Sequence, residues 1–229
     1  MPIVWLLGIV VAIAVFGYIM GRRRALAGAG GDIRGLHSLP VYYGANVGLK
    51  SIVPAAAVVI LWLLAQPMYI NNVVSGMIAD DAIDAGSSRG LVVSEVTRLA
   101  EGIEAAIAAG TMQPDLARDP ARDLEALTDA IKAAGGIVTS DISLPVLEAA
   151  QEYRALKGQG RGLMAAAVIL VALIGAIWAF QETTPAFRAR NVVEQGIRAL
   201  LVAAASVAIL TTIGIVLSLV FNTYEFFKL

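Results

Sequence analysis

The chain of 229 residues contains no cysteine, a single histidine, and charged residues at only 15% of its positions. Without cysteine there is no disulfide framework, no thiolate metal site and no thiol nucleophile. One histidine cannot supply the two or three imidazoles that zinc sites commonly use, so His37, between Leu36 and Ser38, is read as structural or solvated. A soluble domain carries about 25% charged residues, whereas this chain is 58% hydrophobic. That balance excludes a soluble enzyme. The few charges are also clustered: residues 1–21, 51–79, 162–181 and 199–224 contain no Asp, Glu, Lys or Arg. Each stretch has at least the roughly 20 residues needed to cross a hydrocarbon core.

What charge there is sorts by sign. Residues 21–50 carry Arg22, Arg23, Arg24, Arg34 and Lys50 against a lone Asp32, and residues 181–198 carry Arg188, Arg190 and Arg198 against Glu182 and Glu194. Short Lys/Arg-rich loops are retained in the cytoplasm, which predicts that the N-terminus starts outside and that four crossings return the C-terminus there. Met1–Met20 has its arginines after the apolar run, the reverse of a secretory signal peptide, and is expected to stay as an anchor. Residues 71–160 then lie outside; they hold seven basic and fourteen acidic residues, a net −7.

The middle segment reads as helical. Val96, Leu99, Ile103 and Ile107 fall on one face, as do Leu124, Leu127 and Ile131, and strand-type alternation is missing. Gly110 and Gly135-Gly136 read as helix stops, Asp119-Pro120 as a helix start, and Ser143 as the opening of a last helix that ends near Gly158. Ile70, Val73, Val74 and Met77 suggest that the second crossing continues into this segment's core. The predicted fold class is an all-α integral membrane protein, with four transmembrane helices and an extracytoplasmic helical insert between the second and third. Its parts are residues 1–70, a helix pair with a basic cytoplasmic loop; 71–160, the acidic insert; and 161–229, the third and fourth crossings.

Small residues recur at four-residue spacing in Gly17/Gly21, Ala172/Ala176 and Ala204/Ala208/Thr212, the pattern of close helix contact in lipid. The abundance of Gly and Ala explains it without any such contact. Tyr42, Tyr43, Trp62 and Tyr69 read as interfacial aromatic anchors. Arg22, Arg23, Arg24, Arg188 and Arg190 are assigned to topology and lipid-headgroup anchoring, and the partner they imply is the bilayer rather than nucleic acid. No crossing has an ionisable residue in its interior, so these helices alone offer no transport path. The run Gly28, Gly30, Gly31 lacks the Gly-Lys-Ser/Thr ending of a phosphate-binding loop and reads as a flexible turn. No catalytic, metal or cofactor site is predicted, and no substrate-binding residue can be named.

Two groups of segments carry a resemblance. Gly21-Arg22-Arg23-Arg24-Ala25-Leu26 is followed by Leu36-His37-Ser38-Leu39-Pro40-Val41-Tyr42-Tyr43-Gly44, and Arg188-Ala189-Arg190-Asn191-Val192-Val193-Glu194 leads into Ile209-Leu210-Thr211-Thr212-Ile213-Gly214-Ile215-Val216. Together they resemble the N-terminal membrane region of phosphate ABC-transporter permeases of the PstC type, in the long form with an additional membrane domain. The resemblance covers roughly residues 1–66 and 161–229. It implies a multi-pass protein of the bacterial plasma (inner) membrane, serving phosphate import driven by ATP hydrolysis in partner proteins. The implied partners are cytoplasmic ATPase subunits, a second permease subunit and an extracytoplasmic phosphate-binding protein. The fourth crossing would be the first helix of the permease core.

That family couples to its ATPase through a cytoplasmic Glu-Ala-Ala loop. Here Glu104-Ala105-Ala106 with Gly110 matches its first half and Ile142-Ser143-Leu144-Pro145 its second, but 31 residues separate Gly110 from Ile142. Both pieces fall on the predicted outer side, so the match is read as coincidence. The chain is accordingly expected to be the N-terminal part or a truncated form of a permease. Asp80, Asp81, Asp84, Glu101 and Glu104 offer a candidate acidic docking surface for the binding protein, although a solvated face explains them equally. A second reading is a four-helix membrane sensor or accessory subunit with an external input domain. Against it stand the short inside loops and the lack of a heptad-bearing signalling helix. An enzyme is the weakest reading, because acid, base and metal constellations are missing.

Overall fold

The computed structural model describes residues 3–78, 88–113, 116, 119–137 and 142–228, and all regular structure in them is helical. The α-helices are α1 (Ile3–Gly28), α2 (Pro40–Met77), α3 (Arg89–Ala109), α4 (Leu124–Ala133), α5 (Leu144–Glu182) and α6 (Ala189–Phe226), with 3-10 turns at Ile33–Gly35 and Pro120–Arg122. Four of these, α1, α2, α5 and α6, are long and apolar enough to cross a membrane, the number the charge-free runs predict. The chain forms two compact units: an insert unit, Val58–Ala167, and an arginine unit, Pro2–Ala57 with Val168–Leu229.

Helix lengths exceed the apolar runs. α2, α5 and α6 have 38, 39 and 38 residues, about 57 Å each at 1.5 Å per residue, against a hydrocarbon core of roughly 30 Å. Two expected boundaries are corrected as a result. Lys50, assigned to a loop, lies in the third turn of α2, and the helix expected to end near Gly158 continues through Gly158, Gly160 and Gly162 to Glu182. Each helical glycine costs up to about 1 kcal/mol, which is less than unpaired peptide groups cost beside an apolar run. Gly160 also has a packing role, since a Cβ there would collide with the Gln66 side chain.

The insert unit closes around one core. α3 contributes Val96, Leu99, Ile103 and Ala106, α4 contributes Leu127, Ala130 and Ile131, and α5 contributes Leu147, Ala149 and Ala150. Ile70, Val74 and Ile78 join them, so α2 does run into this core, with Val73 half-buried and Met77 exposed. Ile107 is exposed rather than buried. The reason is Gly102: a Cβ on it would stand 2.9 Å from Ile131, so α4 approaches on the Leu99–Gly102–Ala106 side and leaves Ile107 at the rim. Gly110 at φ 71° and Gly135 at φ 83° end α3 and α4 as expected. The expected start at Asp119 shifts. Asp119 precedes the Pro120–Arg122 turn without a capping bond, and Asp123 caps α4 by accepting from the Ala126 amide at 2.9 Å.

In the arginine unit, α1 buries a single stripe, Leu6, Val10, Ala14, Gly17, Gly21 and Ala25. A Cβ on Gly17 or Gly21 would lie 2.8 Å from a Val47 methyl, and one on Gly44 would lie 2.6 Å from the Tyr18 carbonyl. Toward α5, a Cβ on Gly175 would strike the Lys50 carbonyl, and the Ser51 hydroxyl donates to the Ala172 carbonyl at 3.1 Å. Gly17, Gly21 and Ala172 are therefore packing positions, correcting the reading from abundance alone. That reading holds for Ala204, Ala208 and Thr212, which are exposed, as is every residue from Ile197 to Lys228.

The glycine contacts generate a stability prediction. Gly175→Ala should lower the melting temperature in detergent, with a cost of about 1–3 kcal/mol for overpacking. Gly214→Ala, where no atom lies within 4 Å of the added carbon, should be neutral or slightly stabilising. Equal melting temperatures for the two variants would contradict the close approach of α2 and α5.

Candidate functional site

The polar side chains of the arginine unit converge where its two connecting segments meet. α1 ends in a Schellman motif: the Gly31 amide donates to Leu26 at 2.9 Å and the Gly30 amide to Ala27 at 3.1 Å, with both glycines at positive φ. The chain then passes through the turn at Ile33–Gly35 to Pro40, whose ring suits the first turn of α2. Opposite runs the segment from Thr183 to Arg188. Its Pro185 carbonyl accepts twice, from the Tyr43 hydroxyl and from the His37 amide, each at 2.9 Å. The Arg190 amide donates to the Ser38 hydroxyl at 3.3 Å, which fixes the start of α6.

Tyr43 is thus not an interfacial anchor. It is fully buried, packed with Ala25 and Ala189, and its ring centroid lies 6.4 Å from that of Phe187. A buried phenol needs a partner for its hydroxyl, and the Pro185 carbonyl supplies it. Trp62, in the insert unit, donates to Gln66 at 2.9 Å, while Tyr69 is exposed in the manner of an anchor.

All five assigned arginines are exposed, and two of them engage neighbouring groups. Arg24 donates to the Thr183 carbonyl at 3.4 Å and lies 4.4 Å above the Phe180 ring, and Arg190 pairs with Glu194 at 2.6 Å. The Arg22, Arg23 and Arg188 side chains are exposed. They remain suited to headgroup contact, since a guanidinium can bind phosphate in a bidentate fork.

Sequence reasoning missed two residues here. Lys50 forms an ion pair with Glu182 and stands 5.0 Å from the Trp178 ring centroid, its side chain and that of Glu182 being 27% and 30% exposed. Asn46, one turn earlier, is 1% exposed, and its side-chain Nδ2 has no hydrogen-bond partner. Such a donor costs about 1–3 kcal/mol if left unsatisfied. Both residues line a cleft of about 460 Å³ with Leu49, Val53, Val193 and Leu200, within the ~300–1,000 Å³ of ordinary ligand sites. The signal available in the sequence was their spacing: Asn46 and Lys50 are four apart, on one helix face. Among the described residues no group of three or more His, Asp or Glu is arranged to hold a metal ion.

The candidate acidic surface of the insert is engaged where it is described. Glu104 accepts from Arg154 at 2.7 Å and Glu101 from Lys157 at 3.2 Å. Asp80, Asp81 and Asp84 lie outside the described residues. The remaining parts of the split Glu-Ala-Ala match, Glu104–Gly110 and Ile142–Pro145, all fall in the insert unit.

Four helices of membrane-crossing length, with a polar network at one end of the arginine unit, define a multi-pass membrane protein. A model of the family described as phosphate ATP-binding cassette transporter matches residues 7–177, and the chain belongs to that family. The match takes in α1 to α4, with the basic segment after α1, and most of α5. It leaves out α6 and the second group of resembling segments, from Arg188 onward. No curated protein and no solved structure matches the chain.

The geometry predicts how the seam responds to mutation. Tyr43→Phe removes the bond to Pro185 and should cost about 0.5–1.5 kcal/mol, measured as a lower denaturation midpoint in detergent; an unchanged midpoint would show that the bond contributes nothing. Glu182→Ala should destabilise more than the double change Lys50→Met with Glu182→Leu, because the single change leaves a partly buried ammonium without its counter-charge.

Proposed function

We propose that the chain is a membrane permease subunit of an ATP-binding-cassette phosphate importer. The observation that carries this reading is the family match over residues 7–177. ATP is hydrolysed by cytoplasmic partner subunits. A second permease subunit completes the membrane part, and an extracytoplasmic phosphate-binding protein delivers the ion. The arginine end faces the cytoplasm of a bacterial cell, and the insert unit lies on the outer side of the inner membrane. The Lys/Arg bias of residues 21–50 and 181–198 supports that orientation.

Within this assembly the described helices act as a scaffold. α1, α2 and α5 are held together by the glycine contacts, and α6 presents an apolar surface that nothing in the described chain covers beyond its first turns. Such a surface suits a helix whose neighbours belong to the permease core. The chain is not an enzyme in this reading; the chemistry of ATP resides in its partners.

The test is made in the source cell. Affinity purification of the tagged chain from mildly crosslinked membranes should recover an ATP-binding subunit and a second multi-pass subunit, and deleting the gene should abolish ATP-dependent uptake of labelled phosphate. Unchanged uptake after deletion, with no ATP-binding protein recovered, would refute the reading.

A further inference from the structure

We propose that α2 is hinged at Pro54, with the backbone carbonyl that this proline frees, that of Lys50, seated on Gly175 of α5. Pro54 stands inside α2, which runs from Pro40 to Met77 without a break. Proline has no amide hydrogen for the carbonyl four residues before it, and its ring crowds that same carbonyl. The Lys50 carbonyl therefore has no donor within its helix. Ala55, Ala56 and Ala57 follow, the residue type that a helix accepts best, so the proline opposes the helix in a stretch that otherwise favours it.

Within the arginine unit the freed carbonyl meets a glycine. A Cβ on Gly175 would strike the Lys50 carbonyl oxygen, so the Cα–H bond that a side chain would replace points at that oxygen. A Cα–H···O contact of this kind recurs between closely packed helices and is weaker than an amide hydrogen bond. On the near side of Pro54 the helix is pinned. The Ser51 hydroxyl donates to the Ala172 carbonyl at 3.1 Å and the Tyr43 hydroxyl to the Pro185 carbonyl at 2.9 Å, and both side chains are fully buried. α2 is thus held as far as Ser51 and then lacks the backbone bond that would carry its direction past Pro54. Bending there breaks no bond between the amide of residue 54 and the Lys50 carbonyl; what is given up is the contact with Gly175. A pinned segment followed by a weak link is a pivot.

The chain has no cysteine, so spin labels can be placed on Val41→Cys and Leu61→Cys, both exposed on α2 and lying to either side of the proline. A straight α-helix spans about 30 Å over this stretch. The distribution of label distances is measured by pulsed electron paramagnetic resonance on the full chain in lipid nanodiscs, and again with Pro54→Ala, Pro67→Ala or Gly175→Ala added. Pro54 is exposed, so alanine in its place removes no buried side chain.

The expected distribution in the parent chain is about twice as wide as in Pro54→Ala, where the restored amide holds the helix straight. Pro67→Ala lies beyond both labels and should leave the width as it is. Gly175→Ala should shift or widen the distribution, because the added methyl displaces the carbonyl from its seat. Equal widths in the parent and Pro54→Ala would overturn the hinge, as would equal narrowing by Pro67→Ala, which would report a general stiffening. An unchanged distribution in Gly175→Ala would overturn the seat. The Pro54→Ala comparison decides the hinge even where Gly175→Ala fails to fold.

Discussion

The arginine unit depends on how closely α2 can approach its neighbours. In lipid the apolar side chains of a helix gain nothing by leaving solvent, so association rests on van der Waals contact and hydrogen bonds between surfaces that fit. Gly17, Gly21 and Gly44 provide that fit toward α1, and Gly175 provides it toward α5. With the backbones this near, the Ser51 hydroxyl reaches the Ala172 carbonyl. The same register places Tyr43 under the Pro185 carbonyl and Lys50 beside Glu182 and Trp178. The network at the arginine end is thus a consequence of the glycines further along the helices.

The two units solve different problems. The insert unit has charged residues on exposed surfaces and an aliphatic core, and burial of Ile103, Leu127, Ile131 and Leu147 holds it together through removal of apolar area from water. Its ion pairs Arg154–Glu104 and Lys157–Glu101 are exposed and contribute little individually. The arginine unit has few large buried side chains and relies on contact distance instead. α6 takes part in it through Ala189 and Val193 alone among its fully buried residues. The family match covers parts of both units and ends before α6 begins.

Much of this architecture was legible in the residues. The charge-free runs located the four long helices, since a charge in the hydrocarbon is expensive and its absence over 20 residues is a strong signal. Glycines with positive φ marked the ends of α3 and α4 correctly, because an L-residue resists that conformation. Less visible was where helices continue past the apolar runs. Composition reports the solvent a segment meets and not its hydrogen bonding, so Lys50 was placed in a loop and α5 was ended at Gly158. Packing partners were legible only in part. Gly17 and Gly21 carry the right spacing, yet so do Ala204 and Ala208, and only the former meet another helix. For the site the arginines are visible, and the spacing of Asn46 and Lys50 marks a shared helix face, but a lone amide gives no sign of whether its donor is satisfied.

Sidedness is the claim from which the functional account follows, and the absence of cysteine makes it directly measurable. Single cysteines at Ala27, near the end of α1, and at Ala133, at the end of α4, both fall on exposed positions. In intact cells a membrane-impermeant maleimide should label Ala133→Cys, and Ala27→Cys should react only after permeabilisation. The opposite pattern would put the insert unit in the cytoplasm and contradict the account.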